Sequence, residues 1–589
     1  MASNQETAQL LKKVAAVFRV REGDTFRYKA YQNAATAIEN SAESIYELWQ
    51  QGKLDNVPGI GVNLQKYLSE YFKRGQSRHF ESLFKKVPQG MFALLNIRGV
   101  GPITAYKIAK KFKLNNPKTA IRDLQKIIKE GKLTEIASFK EKTVTRIHKA
   151  IEFQSETKTK RLLQNDAFLI AQDFVNFIKS SKSVSEIEML GSLRRKVATV
   201  GDIDLAIAAK NIGSALDYAL SYPKIKTVIT KGDKLAHVKL KNGYEVDIKM
   251  SEIDEWGSLL QHYTGSKMHN IKLRTLALNK GVSLSEYGIK KGTATKKFKS
   301  EKDFYQYLGL SFIPPEMRED KGEIELAQKK RVPKLIEITN IKGDLHIHSD
   351  FDFPTSHDIG DSSLTEILTK TTELGYEYIG ISDHNPKFIG LTEKQKKNYL
   401  EKRTKYLMGA HHAYEKTVKK RVPNLLIGME VDIRPDGDLA LSDTLMNLLD
   451  YAIVSIHSSF DQSLEKNTQR ILEALSHPKA IILGHPTGRM LNSREPISAD
   501  WEKIFKFCYQ QNKIVEVNSS PQRLDLPDDL IRLAISHKVK LIINTDSHHL
   551  DNLDFMPYGV WQCKRGWASS KDVINTYSYR DLRAVLKLN

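Results

Sequence analysis

Gly191-Ser192-Leu193-Arg194-Arg195-Lys196-Val197-Ala198-Thr199-Val200-Gly201-Asp202-Ile203-Asp204-Leu205 is the stretch that decides the reading of this 589-residue chain. Asp202 and Asp204 lie two apart among the apolar Ile203, Leu205 and Ile207. In a strand, residues i and i+2 point to the same face, so two carboxylates leave a buried strand together. Unpaired, they repel and lose hydration, a combined penalty that a divalent metal removes. The bland alternative is a strand-end pair held by Arg or Lys. A second run, Tyr244-Glu245-Val246-Asp247-Ile248-Lys249, alternates, with Asp247 on its polar face. If the two strands are neighbours, Asp247 joins the pair. Three carboxylates beside Ser192, Arg195 and Gly201, which would hold a polyphosphate, suit metal-assisted phosphoryl transfer.

Gly191-Ser192-x-Arg194-Arg195 followed by Gly201-Asp202-x-Asp204 resembles the palm motif of family X DNA polymerases, the polymerase beta group. Tyr263-Thr264-Gly265-Ser266, Asn270, Arg274 and Glu286-Tyr287 follow in the order of that family's nucleotide pocket. The resemblance implies Asp202, Asp204 and Asp247 as catalytic metal ligands for Mg²⁺ or Mn²⁺. It implies Gly191, Ser192, Arg195, Gly201, His262, Tyr263, Gly265, Asn270 and Arg274 as nucleotide-binding residues. The family has Tyr-Phe where this chain has His262-Tyr263, which leaves sugar discrimination open.

Outward from this stretch, the length exceeds a single core, so several domains are expected. The polar N-terminus has no apolar run behind it, and no run approaches a membrane span, so a cytoplasmic protein with no membrane partner is expected. Cys508 and Cys563 alone make neither a disulfide framework nor a structural zinc site. Of 91 Lys+Arg and 70 Asp+Glu, 32 and 33 lie from Ile341 onward, leaving 59 and 37 before it, a net of +22. A basic part joined to a neutral one points to a polyanion partner for the first.

Leu10-Leu11, Val14-Ala15 and Phe18 recur at helical spacing. Val57-Pro58-Gly59-Ile60-Gly61 and Ile97-Arg98-Gly99-Val100-Gly101-Pro102 each precede a helical run and resemble helix-hairpin-helix turns. Gly59, Gly61, Gly99 and Gly101 would let backbone N–H groups reach DNA phosphates without reading bases. In the family the first hairpin grips DNA beyond a gap and the second grips the primer strand. The family's Schiff-base lysine, aligned on Pro58-Gly59-Ile60-Gly61, falls on Tyr67, which cannot form an imine.

The second half opens with Gly343-Asp344-Leu345-His346-Ile347-His348, whose histidines share one strand face. Further polar residues close apolar, strand-like runs at His384, Glu430, His457, His485, Asp546 and His548, with helical stretches between. That is a β/α barrel pattern, in which strand C-terminal ends build the site. It resembles the PHP (polymerase and histidinol phosphatase) domain. The resemblance implies a metal cluster held by His346, His348, His384, Glu430, His457, His485, Asp546 and His548. Its remaining ligand is Asp358, read across an insertion, or Asp352. Imidazole and carboxylate together suit Zn²⁺, Mn²⁺ or Fe²⁺. His357, His411, His412, His477, His537 and His549 are expected at the surface or behind the ligands.

The fold expected is multidomain, α+β and α/β. Helix-hairpin-helix domains cover 1–90 and 91–150, a polymerase beta-like palm 151–258 and thumb 259–318. A charged linker at 319–340 leads to a distorted (β/α)7 PHP barrel at 341–589. The resemblance implies a monomeric repair polymerase acting on gapped or nicked DNA with dNTPs, in base excision repair. Its barrel would supply 3′–5′ exonuclease, with abasic-site endonuclease or 3′-phosphatase activity as further expectations. An active polymerase with a structural, metal-bound barrel and a non-catalytic DNA-end binder are the alternatives.

Overall fold

The computed structural model describes residues 4–21, 24–39, 45–57, 59–95, 100–117, 119–136, 139, 161–353, 356–387 and 390–588. The chain divides into two compact units, 1–160 and 161–589.

The first unit is helical in its described residues. Helices Asn4–Arg21 and Thr25–Glu39 pack through Leu11, Val14, Ala15 and Phe18, the stripe that the sequence spacing marks. The helices that follow the two turns start with the same cap geometry. Gly61 (φ −77°, ψ 171°) caps helix Val62–Arg74, and Gly101 (φ −81°, ψ 173°) caps Pro102–Lys111. Both caps are exposed and extended, leaving the first N–H groups of each helix unpaired with side chains. Gly59 has φ +85° against the Ala34 backbone, a conformation that favours glycine. Gly99 and Pro58 lie outside the described residues, as does 140–160.

The second unit begins with a five-stranded sheet in the order Glu186–Met189, Ile203–Ala208, Glu245–Ser251, Leu235–Leu240, Ile225–Lys231. Its core includes Ile203, Leu205, Val246 and Ile248 beneath helix Gln164–Lys179. A three-stranded sheet (Ser283–Ser285, Gly288–Lys291, Ala294–Lys296) follows, with helices Lys267–Asn279 and Glu301–Tyr307.

Residues 319–340, expected as a linker, are built into this layer. Helix Glu323–Gln328 places Ile324 and Ala327 in the core with Phe304 and Tyr305, and Leu335 joins them. The charges that gave the segment its linker character, Lys329, Lys330 and Arg331, face solvent. Apolar residues at helical spacing behind them carry the packing.

The chain then forms seven parallel strands hydrogen-bonded in sequence order: Gly343–Ile347, Tyr378–Ile381, Asn424–Asp432, Tyr451–Ser455, Ala480–Leu483, Ile514–Asn518 and Lys540–Asn544. Ile347 bridges Ser547 in parallel, and the His348 N–H donates to the Ser547 carbonyl at 2.8 Å, so the sheet nearly closes. Every strand but the last is buried or nearly so along its length, as expected when helices cover a parallel barrel. No helix among the described residues is long and apolar enough to cross a membrane.

Candidate functional site

Strand register brings two of the three palm carboxylates together, Asp204 and Asp247. Ile203–Ala208 and Glu245–Ser251 run parallel with Asp204 opposite Asp247. Asp202 precedes its strand and is exposed. Burial raises the Asp204 carboxyl to about 6, and the charges of Asp247 and Asp202 add to the rise. Lys249 and Arg195 oppose that shift without cancelling it, so the site carries negative charge in excess. A divalent cation fits that excess. Gly191 (φ +58°) supports the pair sterically, because a Cβ there would stand 2.6 Å from Asp204 Oδ2.

Asp247 has a partner that the sequence reading missed. His237 lies opposite it in the antiparallel ladder, with Nδ1 3.1 Å from Asp247 Oδ1 and Nε2 2.9 Å from Glu245 Oε2. Only the register reveals this.

Of the predicted nucleotide residues, Gly191 abuts Asp204, and Arg195 and Tyr263 lie close enough to interact with its charge. Asn270 donates to the His262 carbonyl at 2.7 Å and accepts from Gln261 at 2.8 Å, holding the turn before Tyr263. Arg274 is exposed on the same helix as Asn270 and helps burial depress His262. Arg194 donates to Thr264 Oγ1 (2.6 Å) and Glu301 (2.7 Å). Arg195 differs from the expectation of a free phosphate ligand. It is largely buried, and its guanidinium donates to Glu319 at 3.0 Å and to the Thr264 carbonyl at 2.5 Å. Those bonds tie the Gly191–Arg195 turn to Thr264-Gly265. Ser192 follows Gly191 on that turn, and Gly201 is exposed beside the Arg161 guanidinium.

At the barrel mouth the strand ends converge. Buried Glu430 is the hub: its Oε2 lies 3.0 Å from His384 Nδ1 and 3.2 Å from His346 Nε2, and its Oε1 lies 2.9 Å from His485 Nε2 and 3.3 Å from His457 Nε2. Asp546 Oδ1 is 3.3 Å from His348 Nε2 and 3.4 Å from His346 Nε2. The His548 ring stacks on His348 with centroids 3.9 Å apart. Exposed Asp358 reaches within 3.7 Å of both His384 and His548, so of the two candidates Asp358 stands at the cluster. Asp352 is exposed on the same loop. Gly360 permits this loop path, since a Cβ there would lie 2.3 Å from the His348 carbonyl.

Four ligand groups, each with atoms within 4.8 Å of one another, are linked by shared members: His348/His384/His548, His346/His348/Glu430/Asp546, His384/Glu430/His457 and His357/Asp432/His457. His346 Nε2, both nitrogens of His348, His384 Nδ1, His485 Nδ1 and His548 Nε2 are buried without hydrogen-bond partners. So many orphaned ring nitrogens around carboxylates are costly unless a cation takes their lone pairs. The donor set fits divalent metal. Burial opposes protonating His346, but Glu516, Asp546 and Glu430 raise it well above the usual histidine range. Burial, then His548 and His384, drives its neighbour His348 well below.

Three supports escaped the sequence reading. Glu516, on the sixth strand, accepts from His346 Nδ1 at 2.7 Å and from the His485 backbone at 2.6 Å. Asp432 pairs with His457 Nδ1 at 2.7 Å and with His357 at 3.0 Å, bringing His357 to the rim of the cluster. Buried Arg403 holds Asp383, beside His384, at 2.6 Å. A cleft of about 620 Å³ opens on the cluster, lined in part by Arg494, Arg523 and Phe460.

Comparisons with known proteins follow this division. The helix-hairpin-helix domain model matches residues 2–77, the DNA polymerase beta thumb model 259–319 and the PHP domain model 344–520. The chain is 32% identical to the DNA polymerase/3′-5′ exonuclease PolX of Bacillus subtilis, over 99% of both chains. It is 30% identical to a probable phosphatase of Clostridium acetobutylicum over 35% of this chain and 78% of that one. It is 24% identical to DNA polymerase lambda of Arabidopsis thaliana over 54% of this chain and 62% of that one. With relatedness spanning the hairpins, the thumb and the barrel alike, the chain belongs to the family X DNA polymerases that carry a C-terminal PHP domain.

Proposed function

We propose that this chain is a DNA-directed DNA polymerase that fills short gaps in repair and whose barrel is a metal-dependent 3′–5′ exonuclease. The observation that carries the proposal is similarity over 99% of both chains to a polymerase/exonuclease, and the pairing of Asp204 with Asp247 and the histidine–carboxylate groups of the barrel support it. Asp202, Asp204 and Asp247 would hold Mg²⁺ or Mn²⁺. His346, His348, Asp358, His384, Glu430, His457, His485, Asp546 and His548 would hold Zn²⁺, Mn²⁺ or Fe²⁺. When bound, such ions offset charge developing on a phosphate under attack.

The chain's own residues supply the rest. Gly191 leaves room for Asp204; Ser192 and Gly201 would border the polyphosphate, and Arg195 would brace the turn that carries Ser192. His262 and Tyr263 would abut the sugar, braced by Asn270. In the barrel, Glu516 and Asp432 engage the Nδ1 atoms of His346 and His457, turning each Nε2 to the cluster. Arg494 and Arg523 offer guanidinium groups to a phosphate in the cleft. The similar phosphatase supports phosphoester hydrolysis there. Incubation with a gapped duplex and Mg²⁺ or Mn²⁺ tests both activities: extension to the end of the gap with dNTPs, shortening from the 3′ end without them. Absence of both under either metal overturns the proposal.

DNA grip should be largely electrostatic. Residues 1–160 hold 29 Lys+Arg against 15 Asp+Glu. Each phosphate contact adds roughly 0.9 to the slope of log affinity against log salt. Removing this compact unit should flatten the slope for gapped DNA by several units, measured by fluorescence anisotropy between low and moderate salt. An unchanged slope places the grip elsewhere.

Lyase chemistry should be missing at Tyr67. Its ring stacks on His79, centroids 4.0 Å apart and planes 10° apart, and it packs against the hairpin core. Borohydride should trap no covalent adduct of the protein on an incised abasic site. An adduct that persists in Lys66→Ala points to a different amine.

A further inference from the structure

Helix Met556–Arg565 of the barrel presents two side chains, four residues apart and so on one face, to the palm. Trp561 packs on Phe168 with centroids 5.2 Å apart, and Lys196 Nζ sits 3.9 Å from the Trp561 ring centre. Lys196 follows directly on Arg195 and holds a left-handed backbone, φ +59°, which a lysine keeps only when its surroundings enforce it. Arg565, its side chain 7% exposed, spends its guanidinium three ways. Nη1 donates to the Arg195 carbonyl at 2.9 Å and to Glu319 Oε1 at 3.0 Å, and Nη2 donates to Asp528 at 2.8 Å. The same Glu319 oxygen accepts from Arg195 Nε, and Arg195 Nη1 reaches the Thr264 carbonyl beside Gly265. One continuous chain of bonds therefore runs from Asp528 in the barrel, through Arg565, to the turn bearing Gly191 and Ser192 and on to Thr264-Gly265.

We infer that Arg565 is a positioning residue for nucleotide addition, through which the barrel sets the Gly191–Arg195 turn against the Thr264-Gly265 turn. The inference rests on the polymerase reading above. Its content is that a residue of the nuclease half governs the geometry of the nucleotide pocket. In a buried site, two charge-assisted bonds and one bond to a backbone carbonyl define a position sharply. Without them the Arg195 carbonyl and Glu319 lose their common donor, and the turn is free to shift by the fraction of an ångström that nucleotide alignment registers. Arg565 touches none of the barrel histidines, so their cluster keeps its geometry.

The test is steady-state gap filling by full-length Arg565→Met and Arg565→Lys, with 3′–5′ exonuclease rate and melting temperature measured on the same preparations. Arg565→Met, similar in length but without donors, should raise the KM for dNTP and lower kcat/KM by roughly ten- to a hundredfold. Exonuclease rate should stay within about twofold of wild type. Arg565→Lys, which keeps the charge and loses the fork, should recover part of kcat/KM. A folded Arg565→Met with unchanged kcat/KM for dNTP overturns the inference. So does a parallel fall of both activities with a lowered melting temperature, which marks a purely structural role. If Arg565→Met does not fold, Arg565→Lys decides: a raised KM with intact exonuclease supports the inference, and an unchanged KM overturns it. Extension by wild type on the same template separates failure of the polymerase reading from failure of this one.

Discussion

Asp247→Ala abolishes nucleotide addition, by roughly three orders of magnitude or more, and leaves affinity for gapped DNA nearly unchanged. Losing one preorganised electrostatic contact to a transition state already costs about a hundred- to a thousandfold, and Asp247 is one of three groups proposed to hold the ions that make such contacts. DNA affinity survives because the basic hairpin unit is compact by itself and contains none of the palm carboxylates. Asp204→Asn should lose activity as completely, with an informative side effect. The folded Asp204 carboxyl is raised to about 6, so relative to the unfolded chain its ionisation destabilises the metal-free fold. That penalty is absent below the unfolded value near 3.8 and grows as pH rises to about 6. At pH 7, metal-free Asp204→Asn should therefore melt no lower than wild type while failing to extend a primer. Primer extension by either variant at near wild-type rate means that the palm assignment is wrong. A variant with lower melting temperature and weak DNA binding means that the carboxylates serve the fold instead.

The carboxylates were legible because strand periodicity is a local property. The apolar run at 203–207 marks the strand that carries Asp204, and the alternation at 244–249 puts Asp247 on a polar face, whereas Asp202 precedes its strand and the two-residue spacing alone does not pair it with Asp204. The barrel was legible for a similar reason, with polar residues at the ends of successive apolar runs. What escaped depends on pairings distant in sequence. His237 became visible only through its register with Asp247. Glu516 sits in Ile514-Val515-Glu516-Val517-Asn518, an apolar run with no histidine at its end, so no imidazole marks the sixth strand as part of the site. Its one signal was an acid amid apolar residues, which in a buried strand demands a partner. Residues 319–340 were misread because charge dominates their composition, although Ile324, Ala327 and Leu335 carry the packing. Arg565 had no signal at all, since its target lies 370 residues away.

His346→Ala combined with His348→Ala removes 3′-end degradation, by roughly a hundredfold or more, while gap filling continues. Both residues belong to the group His346/His348/Glu430/Asp546, and His348 also belongs to His348/His384/His548. Removing them opens two of the four linked groups at once, and ligand loss of this kind costs metal occupancy as well as rate. The palm draws on other residues in a separate sheet, so its geometry remains available. The double variant carries a structural cost of its own. Glu516, fully buried, loses the His346 Nδ1 partner at 2.7 Å and is left with the Asn544, Asn518 and His485 N–H donors. His348→Ala combined with His548→Ala avoids this, because it opens the same two groups and leaves the Glu516–His346 bond intact. Melting temperature and metal content, read beside both activities, separate the possibilities. Lost exonuclease and metal in a folded His348/His548 variant that still fills gaps assigns hydrolysis to the cluster. Unchanged exonuclease in a folded, metal-depleted variant removes that assignment. A folded variant that loses both activities makes the barrel an organiser of the palm, and the Trp561–Lys196 and Arg565–Arg195 contacts are the route by which that loss would travel.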